Sequence, residues 1–137
     1  CPISNRYAPL LNRMYETYKP KGIDFFAVYP MSSETVTGIK THQQDYGYEM
    51  PALMDKDHFL VNQTDAMVTP ETAVFLPGNP AKGSWIYKGR INDLYVDFGK
   101  WRHAPTSNDL SDTLDKILSG EALEPRKIRA IGCYIKE

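Results

Sequence analysis

Apolar and aromatic side chains at Tyr7, Leu10, Leu11, Met14, Tyr15 and Tyr18 recur at three- and four-residue intervals. That spacing lines one face of an α-helix and predicts a helix from the start of the chain to about Lys19. Pro2 suits a first helical turn, where no amide donor is missed, whereas Pro9 falls in the interior and predicts a kink. Lys19-Pro20-Lys21-Gly22 supplies the stop. Residues 23–29 (IDFFAVY) then run almost continuously apolar, as expected of a strand covered on both faces in the middle of a sheet. Beyond Pro30, Ser32 or Ser33 is placed to cap a weakly amphipathic helix over 34–46. Residues 50–54 are brief and interrupted by Pro51. Residues 57–66 read as a short helix capped by Asp55 or Asp57.

A second continuous apolar run, 72–76, is followed by 85–88 (WIYK) after a Pro/Gly/Asn loop over 77–83, which predicts an antiparallel hairpin. A polar and aromatic stretch without clear period fills 92–105. Thr106-x-x-Asp109 has the form of a capping box, and Leu110, Leu114, Ile117 and Leu118 mark the buried face of a last helix ending at Gly120. Residues 121–137 read as an extended, mobile tail carrying Cys133. The order of elements, helix, buried strand, crossover, buried strand, hairpin and helix, predicts an α/β layer structure with a hairpin closing one edge of the sheet.

The 137 residues suit one domain spanning 1–137, without internal repeat or low-complexity tract. A formal net charge of -1 lacks the basic excess expected of a nucleic-acid binder, and the apolar runs are far shorter than the roughly 20 residues that cross a bilayer. The two cysteines, Cys1 and Cys133, lie at opposite ends, so they make neither a local C-x-x-C pair nor half a zinc ribbon. They remain free to meet in space.

Chemistry centres on Cys1. The first turn of a helix leaves amide groups unpaired, and their partial positive charge favours thiolate, the form that attacks disulfides and peroxides. The competing reading is a buried, inert cysteine. A nucleophile at a helix start ordinarily emerges from a preceding strand, so an upstream strand is expected and the chain reads as N-terminally truncated. His42, His58 and His103 are candidate metal ligands with little sulfur to join them.

Cys1-Pro2-Ile3-Ser4 with Pro9 eight residues on resembles the thioredoxin active-site segment, a reactive cysteine opening a proline-kinked helix. Thr69-Pro70, just before residues 72–76, resembles the loop that carries that superfamily's cis-proline. C-P-I-S-N-R-Y-x-P-x-L-N, V-T-P-E-T, Y-K-G-R-I-N-D, P-T-x-x-D-L and A-I-G-C-Y-I resemble, in order, segments of bacterial redoxin proteins of the alkyl-hydroperoxide-reductase and thiol-specific-antioxidant type. The resemblance implies a thioredoxin-like α/β sandwich with a mixed central sheet, its first strand missing. It also implies thiol-disulfide oxidoreduction or a related thiol peroxidase reaction without a bound cofactor.

Cys1 would then attack, and the backbone of Thr69 and Pro70 would hold an extended substrate. Ser4, a candidate to hydrogen-bond the thiolate or else simply to solvate the helix end, stands where thioredoxin has its second cysteine, which leaves Cys133 as the internal thiol able to resolve a mixed disulfide or sulfenic acid. The implied partners are protein thiols or disulfides, or peroxide, with an external thiol as reductant. Arg6 and Arg90 are candidates to stabilise a thiolate. Trp85, Trp101, Tyr87 and Tyr95 either line a groove or pack in the core. The alternative is an idle binding or structural module in which Cys1 and Cys133 are joined or unused. A permanent bond between them would suit a periplasmic or secreted location.

Overall fold

The computed structural model describes residues 1–76 and 85–135. The predicted loop over 77–83 lies outside them. The predicted first helix is two: α1 (Pro2–Arg6) and α2 (Ala8–Tyr18), followed by a 3-10 turn at Lys19–Lys21. Pro2 and Pro9 each lie in the first turn of their own helix, so the interruption expected from Pro9 takes the form of a break just before it. The break falls at Tyr7, whose amide bonds back to the Ser4 carbonyl at 3.0 Å.

Four strands follow: β1 (Ala27–Tyr29), β2 (Ala52–Met54), β3 (Val68–Thr69) and β4 (Thr72–Val74). Helices α3 (Val36–Tyr46) and α4 (Phe59–Thr64) connect them. Beyond come β5 (Tyr87–Gly89), β6 (Tyr95–Asp97), β7 (Lys100–Trp101), α5 (Asp109–Leu118), β8 (Arg126–Ile128) and β9 (Cys133–Tyr134). The protein is thus mixed α/β. Among the described residues, no helix is long and apolar enough to cross a membrane.

The strands form small sheets. β1 pairs in parallel with β2, and β4 pairs antiparallel with β5, the predicted hairpin. β8 joins the other edge of β5 in parallel, which makes a mixed three-stranded sheet. Gly89 permits that close approach: a Cβ there would meet the Ile128 carbonyl oxygen at 1.7 Å, and its φ of +141° is open mainly to glycine. The core lies where α1, α2 and α5 bring Ile3, Tyr7, Met14, Tyr18, Leu110 and Leu114 together with Tyr87, Ile91 and Tyr95. Tyr87 is fully buried, and its hydroxyl donates to the Arg90 carbonyl at 2.6 Å. Tyr87 and Tyr95 are therefore core residues.

Several sequence expectations are corrected. The 23–29 run pairs only over 27–29 and is not covered on both faces: Phe26 and Val28 are 55% and 40% exposed, while Ile23 and Phe25 pack on the core. The alternation of an extended chain sends neighbours to opposite sides, and here the outer side is open. Thr35, not Ser32 or Ser33, caps α3 by accepting from the Gly38 amide at 3.0 Å. Asp55 does hold the start of α4, accepting from Leu60 and Val61 amides at 3.1 and 3.0 Å.

Thr106 caps nothing. Its amide and hydroxyl bond to Asp93, and α5 begins three residues later with Asn108 at its N-cap position. Nor is the tail loose, because β8 and β9 stitch it into two sheets.

Candidate functional site

Cys1 occupies the N-cap position of α1, and its carbonyl accepts from the Asn5 amide at 3.1 Å. Its sulfur is bonded to that of Cys133, across 132 positions of sequence and a Cα–Cα distance of 6.2 Å. Cys1 is exposed and Cys133 half-buried, so the bond lies within reach of solvent. The Cys1 sulfur is also 3.5 Å from the Thr69 carbonyl oxygen. A disulfide sulfur carries no proton, so this is a contact in the oxidised chain; the reduced thiol is placed to donate there.

The Thr69–Pro70 peptide bond is cis. β3 lies antiparallel to β9, with Thr69 opposite Cys133 and Val68 opposite Tyr134, and the Ile135 amide extends the ladder to the Met67 carbonyl at 2.9 Å. Gly132 follows the same line. A Cβ at that position would stand 2.1 Å from the Thr69 carbonyl oxygen and 3.1 Å from the Pro70 nitrogen. The structure thus brings Cys1, Thr69, Pro70 and Cys133 to one place.

Ser4, the remaining candidate, lies in α1 three residues after Cys1 and makes no hydrogen bond to the sulfur. Its hydroxyl oxygen is shielded from solvent and has no hydrogen-bond partner among the described residues.

The loop before Pro70 is held from beneath. Glu71 accepts from the amides of Met67 and Val68 at 3.0 and 3.3 Å through one carboxylate oxygen, while the other lies 3.6 Å from the ammonium of Lys88. Lys88 is buried on β5 and also donates to the carbonyl of Asp65, a residue with left-handed φ of 52°. A buried ammonium needs such partners, since an unpaired charge in the interior is costly.

Behind Pro70 is a crevice of about 10 Å³ bounded by Tyr7, Asn92, Tyr95 and Ile131, room for roughly one water. There the Tyr7 hydroxyl donates to Asn92 Oδ1 at 2.7 Å, and burial first, then the negative ends of Tyr95 and Asp93, push its pKa up to about 12. Asp93 fixes the neighbouring loop. It accepts from the Thr106 hydroxyl and from the amides of Thr106 and Ser107, and Arg102 lies 3.4 Å away. The Thr106 hydroxyl leads the stabilisation of its carboxylate, which lowers its pKa to about 2.

Both arginines proposed for a thiolate are engaged elsewhere. Arg90 Nε donates to Asp109 at 2.6 Å, and the Arg6 guanidinium rests 4.6 Å over the Trp101 ring. His42 bridges Tyr29 and Asn5 through its two ring nitrogens at 2.7 and 2.9 Å, and His58 bonds to the Pro30 carbonyl at 2.7 Å.

Sequence reasoning missed the Glu71–Lys88 clamp and the β3–β9 ladder. The buried lysine had no local signal. Gly132 directly before Cys133 was the sign of close backbone contact in the tail.

No family model matches the chain, and no curated protein does. It is similar in fold to an uncharacterized conserved protein from Geobacillus kaustophilus, with a TM-score of 0.77 and 22% identity over 98% of this chain and 70% of that one. A hypothetical protein from Sinorhizobium meliloti 1021 is similar with a TM-score of 0.74 and 23% identity over 95% of this chain and 70% of that one.

Proposed function

We propose that this chain is a thioredoxin-like thiol-disulfide oxidoreductase domain of redoxin type that cycles between a Cys1–Cys133 disulfide and the dithiol. The observation that carries the reading is the Cys1–Cys133 bond, joining an exposed residue to a half-buried one and lying against the Thr69 carbonyl at the cis-proline. Access matters because exchange requires in-line attack by an incoming thiolate on one of the two sulfurs.

In the reducing half-cycle, an external thiolate attacks one sulfur of the pair and expels the other as thiolate. A second external thiol completes the exchange, leaving the protein dithiol and one external disulfide. In the other half, the Cys1 thiolate attacks a substrate disulfide and releases one substrate thiol; Cys133 then attacks the Cys1 sulfur and releases the second. Both halves conserve atoms and electrons without a cofactor.

Disulfide exchange is preferred to peroxide reduction because Arg6 and Arg90, the cations that would steady a peroxide-attacking thiolate, are committed to Trp101 and Asp109. A second reading, a permanent structural link, draws support from the β3–β9 ladder that holds Cys133 in place.

Equilibration of the protein in glutathione buffers of graded ratio, followed by alkylation and mass spectrometry, separates the readings. A redox-active pair converts to dithiol within the range set by glutathione, and a Cys133→Ser variant accumulates a glutathione adduct on Cys1. A bond that stays oxidised throughout, with no adduct on the variant, overturns the proposal.

A further inference from the structure

We infer that the extended polypeptide held along β3 beside Cys1 is one bearing the pattern apolar-Gly-Cys, and that residues 131–133 occupy that edge as an internal copy of it. The inference rests on the exchange chemistry of Cys1 proposed above and names its substrate class.

The segment around β9 shows what the site accepts. Recognition along β3 is by main chain, with Thr69 opposite Cys133, Val68 opposite Tyr134, and the Ile135 amide on the Met67 carbonyl. Main-chain pairing of this kind holds any extended strand, so selectivity must come from positions where a side chain is demanded or forbidden. One position forbids it. A Cβ on Gly132 would penetrate to 2.1 Å from the Thr69 carbonyl oxygen and 2.6 Å from its carbon.

The obstruction is backbone, which cannot swing aside as a flexible side chain does. Thr69 is also tethered on its N-terminal side, since the buried Glu71 carboxylate binds the amides of Met67 and Val68 and is paired with Lys88. A second position demands an apolar group: Ile131 packs on the core cluster and borders the crevice behind Pro70. The position after the cysteine is free, for Tyr134 is 71% exposed. Glycine before the cysteine, an apolar residue before the glycine and no requirement after it define the pattern.

The test uses the full chain with Cys133→Ser, so that Cys1 is the sole thiol, and a six-residue peptide copying residues 130–135 whose cysteine is joined to thionitrobenzoate. The Cys1 thiolate attacks the peptide sulfur, a Cys1–peptide disulfide forms, and the peptide–thionitrobenzoate bond breaks to release coloured thionitrobenzoate. The same peptide with alanine in the position of Gly132 is expected to react at least tenfold more slowly, and one with serine in the position of Ile131 several-fold more slowly. Adding Gly132→Ala to the protein weakens its own tail in the groove and should speed the glycine peptide.

The small disulfide of thionitrobenzoate serves as control. Equal rates for glycine and alanine peptides, with that small disulfide reacting readily, overturn the substrate pattern and leave the exchange function standing. Failure of the small disulfide to react with Cys1 in the folded variant overturns both.

Discussion

Lys88 and Glu71 meet in the interior beneath the cis-proline loop, ammonium to carboxylate at 3.6 Å, with almost no exposure of either side chain. Removing one partner strands the other charge in a medium that solvates it poorly, a loss of about 3–5 kcal/mol. Lys88→Met and Glu71→Gln are each expected to lower the urea midpoint by a margin of that order. The double variant should cost less than the sum, because no lone charge remains. Equilibrium unfolding of the four proteins measures the coupling.

Joining chain ends 132 positions apart restricts the unfolded ensemble strongly. The chain-entropy relation for a loop of that length gives about 5 kcal/mol, and typical bridges deliver about 2–4 kcal/mol. Dithiothreitol, or Cys133→Ser, is therefore expected to lower the melting temperature by several degrees at least. Thermal scans with and without reductant read the difference, and the Ser variant should show none.

Asp93 gives the stability a defined acid limb. Its pKa in the folded chain is about 2 against an ordinary 3.8, so its contribution is fully present above about pH 4 and is lost as pH falls through about 2. Asp93→Asn should be destabilised at pH 7 by about 1.5–3 kcal/mol, the worth of hydrogen bonds to a charged group. The gap between variant and parent should close between about pH 4 and 2. Urea titrations at several pH values test the sign directly.

Gly89→Ala combines a collision with the Ile128 carbonyl and a positive φ of 141°. The β5–β8 pairing must open to admit the methyl group, at a cost of about 3 kcal/mol or more. Hydrogen exchange should show protection lost first over residues 126–128. A variant as stable as the parent would mean that β8 is not held as described.

The elements with strong local patterning were legible in the sequence. The spacing of Tyr7, Met14 and Tyr18, and of Leu110 and Leu114, announced helices that do supply the core. Thr72–Val74 and Tyr87–Gly89 formed the expected hairpin. What escaped was set by partners far along the chain. Thr106 has the form of a cap, yet Asp93, thirteen positions earlier, offers it a carboxylate and takes it away from α5. Arg126–Ile128 and Cys133–Tyr134 are too short to announce themselves as strands; each exists because a ladder edge awaits it. Of the site, Cys1, Thr69, Pro70 and Cys133 were each singled out in advance, but the strand pairing that unites them was not.

That pairing has a consequence for turnover. The strand delivering the second sulfur and the strand lying along Thr69 are the same piece of chain, so a captured polypeptide and residues 131–135 compete for a single berth. Attack by Cys133 on the Cys1 sulfur would expel a trapped partner from its seat in the same motion that cuts its covalent tie. Release would then need no separate opening step, and under the proposed exchange chemistry the oxidised chain would refuse a new cargo until reduced.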